Sequence, residues 1–167
     1  MPTPRKVAFA TLGCKLNYAE TSAIARKFAD EGYQRTPFSQ KADIYVINTC
    51  TVTQAADKKC RNLINKALRN KPGAIVAVVG CYAQLRSKEL AESGKVDIVL
   101  GTKEKFDILH YLQEFETGRQ NIIQTCTIEQ VNEFLPASSV SDRTRAFLKI
   151  QDGCDYKCSY CTVPLAR

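Results

Sequence analysis

Histidine and long apolar runs are scarce in this 167-residue sequence, and each shortage narrows its chemistry. His110 is the only imidazole, and it falls in a helical pattern where a surface or packing role accounts for it. No uninterrupted apolar run approaches the roughly 20 residues that a membrane-spanning helix needs. The opening stretch, Met1-Pro2-Thr3-Pro4-Arg5-Lys6 followed by Val7 to Leu12, lacks the longer apolar region and small-residue cleavage site of a secretory leader. Internal repeats and low-complexity tracts are missing too. These absences point to a cytoplasmic protein with no membrane partner.

What is present describes a globular chain. Apolar residues make up 44% and charged residues 25%, a balance typical of folded domains. A chain of this length buries on the order of two thirds of its unfolded surface, so it needs no cysteine staples to fold. Lys and Arg number 24 against 17 Asp and Glu, a net charge of +7. Phosphate-rich partners feel such a field. The excess is spread along the chain and not clustered, so charge alone leaves RNA binding open.

Four short β-branched runs, at 6–11, 43–48, 74–80 and 96–100, are nearly continuous and not alternating, as expected for strands covered on both faces. Helical patterns at 17–31, 54–69, 83–93 and 103–115 lie between and after them, the first ending at Gly32 and the third at Gly94. Strand and helix alternating every 30 or so residues is the signature of βαβ units. Residues 3–118 are therefore expected to form one doubly wound α/β domain on a parallel sheet. A polar connector, 119–144, follows, with an extended piece at 121–127. The run 146–151 is strand-like and opens a second unit at 145–167, too short to close, so the sequence reads as the front of a longer protein.

Eight cysteines dominate the chemistry. In a reducing compartment they are metal ligands or catalytic thiols before they are disulfides. Cys154, Cys158 and Cys161 form a C-x3-C-x2-C triplet just after a strand-like run. Three thiolates in one loop hold three irons of a cubane cluster and leave the fourth iron open to an exchangeable ligand. Structural zinc prefers four closed ligands, commonly two C-x2-C pairs. Cys158 and Cys161 make one such pair, Cys154 fits none, and the partner pair is missing. Cys14, Cys50 and Cys81 are spread out, but each falls at or just after the end of an expected strand. In an open parallel sheet those ends share one crevice, and Gly13 and Gly80 allow close backbone approach. Unrelated buried thiols at strand ends fit the same pattern, so spacing alone leaves convergence open. Cys60, inside a helical pattern, and Cys126, in the connector, read as ordinary thiols.

These segments resemble the radical-SAM methylthiotransferases along nearly the whole chain. Thr11-Leu12-Gly13-Cys14-Lys15-Leu16-Asn17 with Glu20-Thr21, then Asn48-Thr49-Cys50-Thr51-Val52-Thr53, then Gly80-Cys81-Tyr82-Ala83-Gln84 look like that family's first three cysteine motifs. The triplet looks like its radical-SAM signature, with Tyr160 at the aromatic position that contacts adenine. Thr51-Val52-Thr53, the run Arg143 to Cys154 and Thr162-Val163-Pro164-Leu165-Ala166-Arg167 look most like the branch acting on threonylcarbamoyladenosine in tRNA.

The resemblance implies two 4Fe–4S clusters: an auxiliary one on Cys14, Cys50 and Cys81, and one on Cys154, Cys158 and Cys161 that binds S-adenosylmethionine. It further implies that 145–167 begins a truncated radical-SAM barrel. The implied activity is transfer of a methylthio group to C2 of N6-threonylcarbamoyladenosine at position 37 of tRNA, beside the anticodon, with an external electron donor. An unactivated aromatic C–H offers no acidic proton, so general acid–base groups would be of little use. Relatives acting on isopentenyladenosine in tRNA or on an aspartate of a ribosomal protein are alternatives within the family. Outside it stand an iron–sulfur carrier or electron-transfer protein and a zinc-stabilised RNA-binding module.

Overall fold

The computed structural model describes residues 3–50, 54–131, 133–139, 145–156 and 158–167. The β-branched runs become strands with no solvent face: β3 (Ile44–Thr49) is buried at every position, and β4 (Ile75–Gly80) at all but its first. Both faces are covered because four of the strands are each followed by a helix that packs back onto the sheet. β1 (Lys6–Thr11) leads into α1 (Lys15–Asp30), which returns to β2 (Gln34–Thr36). β3 leads into α2 (Gln54–Asn70), β4 into α3 (Cys81–Glu92), and β5 (Ile98–Leu100) into α4 (Ile108–Glu116) through a 3-10 turn at Glu104–Asp107. β6 (Ile122–Gln124) completes the sheet.

All six strands are parallel, in the order β2-β1-β3-β4-β5-β6. The expected doubly wound α/β fold is the one observed. Alternate residues feed two cores. Ile44 and Val46 join Ile24 and Phe28 of α1 and Leu112 of α4 on one face. Tyr45 and Ile47 join Ile64 of α2 and Leu90 of α3 on the other. The chain goes outward from β1 to β2, then back across β1 to β3, so the direction of winding reverses between β1 and β3. Ligands of open α/β sheets sit at that reversal.

Local features differ from the sequence reading. β2 is a three-residue polar strand on the sheet edge, without the apolar run that would mark it. β6 comes from the extended piece of the expected connector, which carries the sheet beyond 118. Helix α3 starts on Cys81 itself, two residues earlier than its apolar pattern. The strand-like run at 146–151 contributes only β8 (Phe147–Leu148), paired antiparallel with β7 (Ser138–Ser139). That ribbon packs against α1, and a four-residue helix, α5 (Val163–Ala166), ends the chain. No barrel strand is seen among the described residues after β6.

The segment 149–167 is fastened to the domain by buried charge. Glu20, fully buried on α1, accepts from Lys105 Nζ at 2.7 Å and Lys149 Nζ at 3.1 Å. Arg167 grips the same carboxylate with Nη1 at 3.0 Å and Nη2 at 2.9 Å. Asp152 accepts from Lys149 and from Arg167. Charges this far from water persist only when paired. Burial opposes ionisation of Glu20, but Lys105 and Arg167 outweigh it and pull its pKa down from 4.5 to about 2. Burial likewise drags the Lys105 pKa below the lysine value, with Glu20 pulling back.

Glu20→Ala takes the carboxylate from buried Lys105, leaves Lys149 and Arg167 to share Asp152, and is expected to cost about 3–5 kcal/mol in urea unfolding. Because the folded pKa of Glu20 is depressed, its contribution is present above about pH 4.5 and is lost as pH falls towards about 2. Urea midpoints measured across that window should decline, and Glu20→Gln should flatten the decline.

Candidate metal centre

β3 lies between β1 and β4, so the chain leaves the same edge of the sheet at three adjacent places. After β1 comes Leu12-Gly13-Cys14, after β3 comes Cys50, and after β4 comes Cys81 as the first residue of α3. All three cysteines line one cavity of about 280 Å³, together with Asn17 and Arg167. Cys50 and Cys81 are buried and Cys14 is exposed.

Small residues make this convergence possible. Gly13 has φ +115°, and a Cβ there would stand 2.5 Å from Cys50 Cβ and 3.2 Å from its Sγ. Gly80 has φ +96°, and its Cβ would meet Asn48 Oδ1 at 2.5 Å. Any side chain at either position would push the strand ends apart.

Asn17 ties the loops together. Its Nδ2 donates to Leu12 O at 2.9 Å, two residues before Cys14, and to Thr49 O at 3.1 Å, immediately before Cys50. Its Oδ1 accepts from Arg167 Nη2 at 2.9 Å and, at 3.6 Å, from the Cys14 thiol. Asn48 Nδ2 donates to Asn17 O at 3.0 Å and holds the start of α1 in place. Burial pushes the Cys81 thiol pKa up, opposed by the positive charges of Arg167 and Lys105 and by a hydrogen bond from Arg167.

The second set is less enclosed. Cys154 and Cys161 are half-buried and Cys158 is exposed. Cys161 N donates to Cys158 O at 3.2 Å, which tightens the last part of the loop. Cys154 borders a separate hollow shared with Asp152 and Arg167. The residues flanking the triplet, Gly153 and Thr162, line the first cavity, so the two sets of cysteines are neighbours. Tyr160 is 92% exposed and free to meet a ligand. Lys157, inside the triplet, and Thr51-Val52-Thr53, Arg143 and Thr144 of the branch-specific motifs lie outside the described residues.

Among the described residues, no three His, Cys, Asp or Glu side chains stand close enough to share a single metal ion. A cubane differs in its demand, because each thiolate takes a separate iron corner. The Cys14, Cys50 and Cys81 donors are soft, they ring one cavity, and glycines keep its wall thin, so the residues fit such a group.

Cys60 is packed in the α2 core, where burial pushes its pKa to about 12. Cys126 is half-buried after β6, its carbonyl accepting from Gln84 at 2.6 Å. Neither lines the cavity. His110 is a surface residue of α4, 3.4 Å from Glu114. Sequence reasoning missed Asn17, Glu20 and Arg167 as site residues. A signal was available for the first two: Asn17, Glu20 and Thr21 are polar residues at core-facing helical spacing, all buried on α1.

Fold and cavity together define a doubly wound α/β domain with a cysteine-lined crevice at its switch point. The family model described as "Uncharacterized protein family UPF0004" matches residues 6–101, and the chain belongs to that family. It is similar to the threonylcarbamoyladenosine tRNA methylthiotransferase MtaB of Bacillus subtilis, with 47% identity over 96% of this chain and 36% of the relative. The Aquifex aeolicus protein of the same name is 41% identical over 97% of this chain and 40% of its own length. The ribosomal protein uS12 methylthiotransferase RimO of a Synechococcus species is 34% identical over 99% and 36%. The chain thus spans under half the length of these relatives. Among the described residues, no helix is long and apolar enough to cross a membrane.

Gly13→Ala combines a left-handed backbone with a clash against Cys50. It is expected to cost about 1–3 kcal/mol in thermal or urea unfolding and to lower the iron bound after anaerobic reconstitution. Cys60→Ala, remote from the cavity, should leave iron binding unchanged.

Proposed function

We propose that this chain is the front part of a tRNA methylthiotransferase that modifies N6-threonylcarbamoyladenosine at position 37, beside the anticodon. The observation that carries this reading is the single cavity ringed by Cys14, Cys50 and Cys81 in a chain 47% identical to a threonylcarbamoyladenosine tRNA methylthiotransferase. Bound iron–sulfur clusters would supply sulfur chemistry at the first site and one-electron cleavage of S-adenosylmethionine at the second.

The chain's own residues hold and shield. Cys14, Cys50 and Cys81 would ligate the first cluster, and Cys154, Cys158 and Cys161 the second. Asn17 fixes the two loops that present Cys14 and Cys50. Burial of Cys50 and Cys81 excludes water from the floor of the site, while exposed Cys14 marks the side from which substrate approaches. Tyr160, 92% exposed within the triplet, would stack on an adenine ring.

A polyanionic substrate agrees with the charge. The excess is +7, and α2 exposes Lys58, Lys59, Arg61, Lys66 and Arg69. The greater identity to the threonylcarbamoyladenosine enzymes than to the uS12 methylthiotransferase supports the nucleoside over a ribosomal-protein substrate.

In the full-length protein, Cys158→Ala should abolish formation of 5′-deoxyadenosine while leaving roughly one cluster's worth of iron. Cys50→Ala should keep that cleavage and lose methylthiolated nucleoside in tRNA digests. Methylthiolated tRNA from Cys50→Ala would refute the role of the first site, and zinc without iron after reconstitution would refute both.

A further inference from the structure

The buried charge cluster carries an excess of one sign beside the cysteines. Among the described residues, Lys105, Lys149 and Arg167 pair with two carboxylates, Glu20 and Asp152, so one positive charge is left over when these five are ionised. Arg167 is the member that reaches the cavity. It shares the lining with Cys14, Cys50 and Cys81, and its positive charge acts on the Cys81 thiol.

That guanidinium has little freedom to turn away. Nη1 is held by Glu20 at 3.0 Å and by Asp152, and Nη2 by Glu20 at 2.9 Å and Asn17 Oδ1 at 2.9 Å. Its side chain is 5% exposed. Burial works against its charge, but the hydrogen bonds and charge of Glu20 hold its pKa above the ordinary arginine value. A planar fork pinned on two edges presents a permanent positive charge in one direction.

An oxidised cubane core under three thiolates is a net anion, and reduction deepens that charge. A fixed cation in the wall of the same cavity as the ligating sulfurs favours the reduced state over the oxidised one. We infer that Arg167, oriented by Glu20 and Asp152, is a positioning residue of the Cys14/Cys50/Cys81 site that raises the reduction potential of the cluster held there. The inference rests on the reading of that cavity as a cluster site. It also gives the loop bearing the second triplet a role in the electronics of the first site, because Asp152 and Arg167 flank that triplet.

The test uses the full-length protein with Cys154, Cys158 and Cys161 all changed to Ala, so that iron binds only at the first site. The protein is reconstituted anaerobically, its iron is counted, and its cluster is titrated electrochemically with paramagnetic resonance detection. In Arg167→Gln the ratio of reduced to oxidised cluster at a fixed potential should fall about tenfold, a drop of about 59 mV for a one-electron couple. Asp152→Asn removes an anion from the same guanidinium and should move the ratio in the opposite direction. Arg167→Lys keeps the charge and should stay close to the parent.

Opposite signs are a signature of charge, since a packing defect would shift both variants the same way. Unmoved potentials, or shifts of one sign in both, overturn the inference when iron is retained. If Arg167→Gln holds no iron, Arg167→Lys decides. Iron held near the parent potential supports the charge role, and loss from both overturns it. A parent protein without first-site iron overturns the cluster reading itself, and this inference with it.

Discussion

Parallel pairing delivers the end of every strand to one edge of the sheet, and the cysteine cavity depends on that delivery. β1, β3 and β4 are immediate neighbours, so residues 36 and 31 positions apart in sequence leave the sheet side by side. An antiparallel arrangement would send alternate ends to opposite edges and scatter the same thiols. The reversal of winding between β1 and β3 opens the crevice at that edge. Gly13 and Gly80 let the two outer loops close on the middle one. Fold, cavity and donor set are one consequence of strand order.

A second constraint is the conversion of buried charge into a fixed geometry. Glu20 sits on α1 one turn beyond Asn17, so the helix that orients the Cys14 loop also anchors Arg167. Low accessibility makes each of these pairs costly to break, which is why the segment 149–167 has a defined place against the domain. The cysteines of that segment are thereby set beside those of the first site. Under the proposed function, two reactive centres that must meet one substrate would gain from such stiffness.

The comparisons and the geometry support each other from different directions. Family membership rests on residues 6–101 and says nothing by itself of where side chains point. The cavity shows three of those residues facing one space. The relatives act on different substrates by their names, and the chain covers little more than a third of most of them. Choice among substrates therefore draws on identity and charge, since the motif at Thr51–Thr53 lies outside the described residues.

The alternation of β-branched runs with amphipathic stretches determined the layered α/β fold, because a strand buried on both faces must be apolar throughout. The triplet was legible for a similar reason: three thiolates within eight residues need no fold to bring them together. β2 and β6 were decided by tertiary structure, as edge strands of three residues carry no periodicity of their own. The same holds for the gathering of Cys14, Cys50 and Cys81 and for the grip of Glu20 on Lys105, Lys149 and Arg167. Those contacts join residues 31 to 147 positions apart, and only the order of strands in the sheet says which distant positions meet.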